Sequence, residues 1–191
     1  MAQHPIALID FDFLAENVAR HLTAAALSPL PPPSRFAGNG LYALYYCGEF
    51  ADYAPVASPD CTTPIYVGKA IKARGRGEDV YGRLQEHAES TRHADNLRLE
   101  DFRCRYLVVE PVWVVLGEHL LLMRYHPLWN DVVKGFGIHD PGRAGRGTQR
   151  RSRWDTLHPG RRFAEGRPPN NKTEEQIRAL IAAHFRQYPP G

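Results

Sequence analysis

At 191 residues, with 43% hydrophobic and 24% charged side chains, the chain has the length and composition of a globular protein with room for a real core. Its three cysteines, Cys47, Cys61 and Cys104, are odd in number, far apart and without a CxxC pair, which argues against a disulfide framework and a zinc site. No signal peptide opens it and no apolar run approaches the ~18 residues of a membrane span, so a soluble cytoplasmic protein without membrane contact is expected.

The net charge of +3 is unevenly spread. Residues 141–168 hold eight arginines against Asp155 and Glu165, which leaves the remainder of the chain acidic on balance. Such a run is either a solvated loop or a polyanion-binding surface. Arginine, whose planar fork grips phosphate and guanine edges in a bidentate way, favours the second.

In chain order, residues 11–26 predict an amphipathic helix, with Phe13, Leu14, Val18, Leu22 and Ala25 at helical spacing. The run Pro29-Leu30-Pro31-Pro32-Pro33 ends it. The aromatic segment 40–46, bounded by glycines, predicts a strand, and 64–68 a second short one. Residues 79–89 read as a helix, 102–109 as a third strand, and 112–125 as an apolar helix closed by Pro127. Beyond Gly135 the chain is rich in Gly, Pro and Arg until Thr173, which with Gln176 forms a capping-box pattern for a last helix to about Phe185. With no internal repeat, a single domain is expected: 1–37 an N-terminal helix and Pro-rich linker, 38–131 a core, and 132–191 a basic extension.

Two tyrosines, Tyr42 in Gly40-Leu41-Tyr42 and Tyr66 in Tyr66-Val67-Gly68, fall on adjacent predicted strands beside glycines that leave room for a phosphate backbone. Arg83 and His87 share one helix face at i, i+4. Glu118 is a lone carboxylate among leucines, and Asn130 follows Pro127-Leu128-Trp129. Singly, each has an ordinary reading: core aromatics, a solvated helix face, an ion pair between Glu118 and a buried arginine. Together they suit phosphodiester hydrolysis. A carboxylate holds one hard cation, an arginine neutralises phosphate charge, and a tyrosine acts as base if nearby cations, Lys69 and Arg83, depress its ordinary value of about 10.

Gly-Leu-Tyr, Tyr-Val-Gly-Lys, Arg-x-x-x-His, a helical Glu and Pro-x-x-Asn, in this order over 40–130, resemble the GIY-YIG nuclease superfamily. The resemblance implies an α+β fold, a three-stranded antiparallel sheet flanked by helices. It implies one divalent metal, Mg2+ or Mn2+, on Glu118, with Tyr42 as general base and His87 orienting it or the water. Tyr66 and Arg83 would contact the scissile phosphate, Lys69 would lower the Tyr42 pKa, and Asn130 would hold the framework. One departure is that Tyr66 lies 24 positions after Tyr42. The family places the two about ten apart, so residues 48–63 read as an inserted polar loop bearing on DNA contact or dimerisation.

The flanks, among them Gly135-Phe136-Gly137 and His158-Pro159-Gly160-Arg161, resemble the type II restriction endonucleases of that superfamily. That branch works as a homodimer on palindromic double-stranded DNA, and the enzymes most similar in these flanks cut CCGCGG. Lys134, Arg143, Arg146, Arg150, Arg151, Arg153 and Arg161 are then the expected DNA contacts, to guanine edges or to phosphates alone. Two other readings stay open: a structure-specific repair or homing nuclease, and a nucleic-acid-binding module without catalysis.

Overall fold

The computed structural model describes residues 10–72, 77–138 and 149–190. Its first helix, α1 (Phe11–Ala24), begins where the Asp10 carboxylate accepts a hydrogen bond from the Phe13 amide, and ends two residues short of the expected limit. The proline run then does more than stop it: Ser28–Pro29 pair as a two-residue edge strand, β1. An edge is where a sheet tolerates proline, which donates nothing to a ladder.

The sheet is antiparallel, in the order β1, β4 (Phe102–Val108), β2 (Gly40–Tyr46), β3 (Tyr66–Ala70). The three expected strands are all present, and β1 makes a fourth beside Arg103 and Cys104. The second predicted strand lies two residues later than 64–68. β2 is buried along its whole length because it is central and covered on both faces. Its side chains alternate. Tyr42, Leu44 and Tyr46 enter one core with Leu84, Trp129 and Trp154. Leu41, Ala43 and Tyr45 enter the other with Leu22, Val114 and Leu121. Burying each of the larger of these side chains contributes roughly 1.5–3 kcal/mol.

Two helices cover the faces and carry the candidate residues. α2 (Val80–Arg92), capped by the Asp79 carboxylate on the Gly82 amide, buries Leu84, His87 and Ala88 against the Tyr42 face. α3 (Pro111–Tyr125), with Pro at its first turn, lies with α1 on the opposite face, and Gly117 gives it close approach: a Cβ there would stand 2.5 Å from Leu41 Cδ1. No helix among the described residues is long and apolar enough to cross a membrane.

After the short α4 (Leu128–Asp131), the basic extension folds back onto the Tyr42 face as α5 (Arg153–Leu157), α6 (Arg162–Glu165) and α7 (Glu174–Gln187), burying Trp154, Leu157, Ile177 and Ile181. The capping box opens α7 as expected, with Thr173 and Gln176 bonded in both directions. The polar insertion is tied to this extension. Tyr53, fully buried, meets His158 Nε2, and Asp52 pairs with Arg178 of α7. His158 Nδ1 faces Asn96 Oδ1 at 2.8 Å, which can only accept, so Nδ1 carries the proton and the Tyr53 hydroxyl donates to Nε2.

Burial, with Arg178 and Arg161 nearby, pushes His158 down to about 3. The unfolded chain therefore takes up a proton at His158 below its ordinary 6.5 that the folded chain refuses until about 3. Stability from this residue is complete above pH 6.5 and declines as pH falls toward 3, by ~1.4 kcal/mol per pH unit. Urea unfolding at stepped pH is expected to show this slope, and His158→Gln to lower it by one proton. An unchanged slope would refute the assignment.

The cysteines, distant in sequence, are partly gathered: the Cys47 and Cys61 thiols lie 3.2 Å apart, both free, with burial pushing Cys61 up to about 12.

Candidate active site

The candidate residues meet at the β3 edge of the sheet. On β3, Tyr66 and Gly68 point to the α2 face, while Val67 and Lys69 point to the α3 face, by strand alternation. From β2, Tyr42 stands opposite Gly68 and runs its ring beneath it toward the edge. The Tyr42 hydroxyl reaches His87 Nε2 at 2.7 Å, and the ring of Tyr66 lies 6.3 Å from that of Tyr42 and 5.1 Å from that of His87. Arg83, one turn before His87, pairs with Glu86 at 2.5 Å and bears electrostatically on both tyrosines.

Burial sets the charge state of this group. Tyr42 is 1% exposed, and desolvation holds its hydroxyl well above the ordinary phenol range. Tyr66 adds to the rise, Arg83 offsets part of it, and Glu118 raises it slightly further. Tyr66 is raised too, first by burial, with Arg83 opposing. The expectation of a Tyr42 depressed by cations is thus corrected: here the phenol keeps its proton. Lys69 is turned by alternation to the other face, where its Nζ lies 2.5 Å from Glu118 Oε2 and is spent on that carboxylate.

Glu118 is accordingly an ion-pair partner, with a lysine from the edge strand rather than a core arginine. Among the described residues no group of three or more His, Cys, Asp and Glu is gathered into a metal cage. One accessible carboxylate suits a hard cation that keeps most of its waters and draws its other ligands from phosphate. It does not suit zinc or a caged calcium.

Asn130 does the work of a missing strand. Its Oδ1 accepts from Val67 N at 2.9 Å and its Nδ2 donates to Val67 O at 2.8 Å, satisfying the outward groups of the edge between Tyr66 and Gly68. Asn130→Ala orphans both and is expected to cost about 2–4 kcal/mol in urea unfolding. A loss below about 0.5 kcal/mol would show that water replaces the amide freely.

The glycines have a different purpose from the expected room for phosphate. A Cβ on Gly40 would stand 1.9 Å from Leu107 O, and one on Gly68 would stand 2.4 Å from Tyr42 Cζ. Both glycines accommodate the protein itself. Three further residues belong to the site: one was not singled out in the sequence, and two were singled out only as a flanking motif. Glu86, at i+3 from Arg83, carried a helical-pair signal. Phe136 stacks on His87 at 4.6 Å and 15°, and Gly137 packs within 3.0 Å of the Tyr66 hydroxyl measured from an added Cβ. Both come from the Gly-Phe-Gly turn, whose place beside α2 no local pattern announces.

The basic residues separate into groups. Arg161 is 3% exposed and bonds inward, to Asp155 at 2.7 Å and to the carbonyls of Gly135, Phe136 and Ile138. That corrects its assignment as a DNA contact, since four of its five N–H groups are spent inside the protein. Arg151 donates to Ala164 O and Glu165 O, and Arg153 to Val132 O, from half-buried positions. Arg150, bonded to Pro169 O, and Lys134 are exposed. Arg143 and Arg146 lie outside the described residues.

No curated protein is matched by the chain. A family model, the Eco29kI GIY-YIG domain, matches residues 34–185, from just before β2 to the last turns of α7. GIY-YIG nucleases generally use divalent metal ions. With the motif residues gathered at one sheet edge and the match running through the basic extension, the chain belongs to the Eco29kI GIY-YIG family of restriction endonucleases and is a nuclease domain acting on DNA.

Proposed function

We propose that the chain is a type II restriction endonuclease. It hydrolyses phosphodiester bonds of double-stranded DNA at a palindromic, GC-rich site, CCGCGG by resemblance, as a homodimer with one Mg2+ (or Mn2+) per active site. The observation that carries the reading is the Tyr42–His87 hydrogen bond of 2.7 Å, with Tyr66 and Arg83 around it and Glu118 at the same edge.

Burial keeps the Tyr42 phenol protonated, so it acts as base by relay: as it takes a proton from the attacking water, it gives its own to His87 Nε2. The relay requires His87 to present an unprotonated Nε2 to the Tyr42 hydroxyl. Arg83 neutralises the phosphate's added charge, and the Tyr66 hydroxyl donates to a phosphate oxygen. Glu118 would hold the divalent cation, which would supply Lewis acidity to the phosphate. Lys69 fixes the Glu118 carboxylate from β3.

A single site cuts one strand, and twofold symmetry matches two sites to a palindrome. Val112, Trp113 and Val115 on α3 stay exposed, the uncharged kind of face that homodimers bury. Lys134, Arg143, Arg146, Arg150, Arg151 and Arg153 are the proposed DNA contacts.

The deciding experiment is digestion of plasmid or phage DNA with Mg2+, with and without chelator. Discrete chelator-sensitive fragments with twofold-symmetric ends are expected. A metal-dependent smear or nicking would overturn the restriction reading, and no cleavage in any divalent metal would overturn the enzymatic one.

A further inference from the structure

Arg161 and Asp155 form a nearly dry ion pair, at 3% and 2% side-chain exposure, outside the residues of the motif. The pair is itself held. Ser152 Oγ donates to Asp155 Oδ2 at 2.5 Å, and Arg161 Cζ lies over the rings of Trp154 and Phe163, 4.4 and 4.8 Å from their centres. The fork then donates to Gly135 O at 2.9 Å, Phe136 O at 2.9 Å and Ile138 O at 3.1 Å, three carbonyls of one turn. Three carbonyls converging on one buried guanidinium fix the turn's height and its tilt.

That turn is the wall of the site. Its Phe136 stacks on the His87 ring and meets Tyr66 edge-on at 5.3 Å, and Gly137 leaves just the room that Tyr66, Arg83 and His87 occupy. Gly135 makes the approach to Ser152 feasible, having a positive φ of 120° and no Cβ, which would stand 2.1 Å from Ser152 Cβ.

We propose that Arg161, locked by Asp155, is a positioning residue of the nuclease: through the 135–138 turn it sets the His87 ring against the Tyr42 hydroxyl. The inference rests on the catalytic reading of His87 given above. Lysine at 161 keeps the charge for Asp155 but cannot reach three carbonyls in a plane, so the substitution separates charge from fork.

The test uses Arg161→Lys and Phe136→Leu in the full chain. Three readouts are needed: single-turnover cleavage of a duplex bearing the site mapped from plasmid digestion, duplex affinity in Ca2+, and the His87 ring proton shifts by NMR, assigned by comparison with His87→Gln. The expected result for both variants is a cleavage rate down about 10²-fold, the loss that a misplacement near 1 Å brings. Duplex affinity stays within about threefold, and the His87 shifts move away from their ring-current positions. Unchanged His87 shifts in folded Arg161→Lys would overturn the proposal. So would a loss of affinity equal to the loss of cleavage, which would make Arg161 a DNA contact. If Arg161→Lys does not fold, Phe136→Leu, whose clamp is intact, decides, and a wild-type rate there overturns it. Should His87→Gln itself cut at the wild-type rate, the catalytic reading fails, while the shifts still report whether Arg161 holds the turn.

Discussion

Replacing Glu118 by alanine is expected to lower DNA cleavage about 10³-fold or more while leaving the fold and DNA binding in place. The size of each effect separates them. The Glu118–Lys69 pair is 20% and 38% exposed on its two side chains, so screening limits its contribution to stability to at most about 1 kcal/mol. A loss of that size cannot empty the native state of an ordinary domain. With Glu118 as the proposed cation ligand, its removal forfeits Lewis-acid help to the phosphate, an effect of several kcal/mol on the barrier. Binding goes the other way. Without Glu118, Lys69 is left with an unspent positive charge, and duplex affinity in Ca2+ should hold or tighten by a few fold, with a steeper salt dependence. Cleavage and filter binding on one preparation check both. An alanine variant that cuts within tenfold of wild type would remove Glu118 from the chemistry. One that neither cuts nor binds would make the ion pair, not a cation, its reason for being there.

What was legible in the sequence follows from how local each signal is. β2 was readable because an aromatic run bounded by glycine has few other uses, and α7 because its capping box is complete within four residues. Tyr42, Tyr66 and His87 converge because strand and helix periodicities put them there, and those periodicities need only a correct element assignment. Lys69 was misjudged on a local rule that was available: it is three positions from Tyr66 and so faces away from it. The insertion read as a loop for DNA contact or dimerisation because its composition is polar. The residues that matter in it, Tyr53 and Val56, are few, and their partners His158 and Trp129 come from far along the chain.

Charge was the least legible property. A run of arginines is counted from the sequence without knowing which carbonyls a fold will aim at them. Arg161 and Arg167, both buried, turn out to belong to the inside, Arg167 with its guanidinium 5.0 Å from the Phe163 ring centre. Arginine serves this purpose because it is weakly hydrated for a cation and carries a planar fork. Two of the eight arginines in what reads as a polyanion-binding stretch are therefore scaffold, and net charge over a segment overstates the positive surface presented to DNA.

Gly68→Ala carries the second large expected effect, and it separates two purposes for that glycine. If Gly68 leaves space for phosphate, a methyl group there weakens DNA binding and leaves the protein's stability alone. The structure supports the other purpose. An added Cβ would stand 2.4 Å from both Tyr42 Cζ and Oη and 2.8 Å from Cε2, closer than carbon atoms pack. Tyr42 has nowhere to yield: it is 1% exposed and tied to His87 at 2.7 Å. β3 cannot easily move outward either, since Asn130 grips Val67 from the far side. The strain must be taken up by tilting the ring and lengthening the Tyr42–His87 bond. Overpacking of this kind costs about 1–3 kcal/mol, and a displaced base costs about 10²-fold in rate. The double variant Gly68→Ala/Tyr42→Phe then decides. Removing Oη takes away one of the two closest contacts, so the alanine should destabilise the phenylalanine protein by about 1 kcal/mol less than it does the wild type, a coupling read from a urea double-mutant cycle. Cleavage stays lost in both backgrounds, because the hydroxyl is displaced in one and absent in the other. Strictly additive stabilities with weakened duplex affinity would return Gly68 to the phosphate.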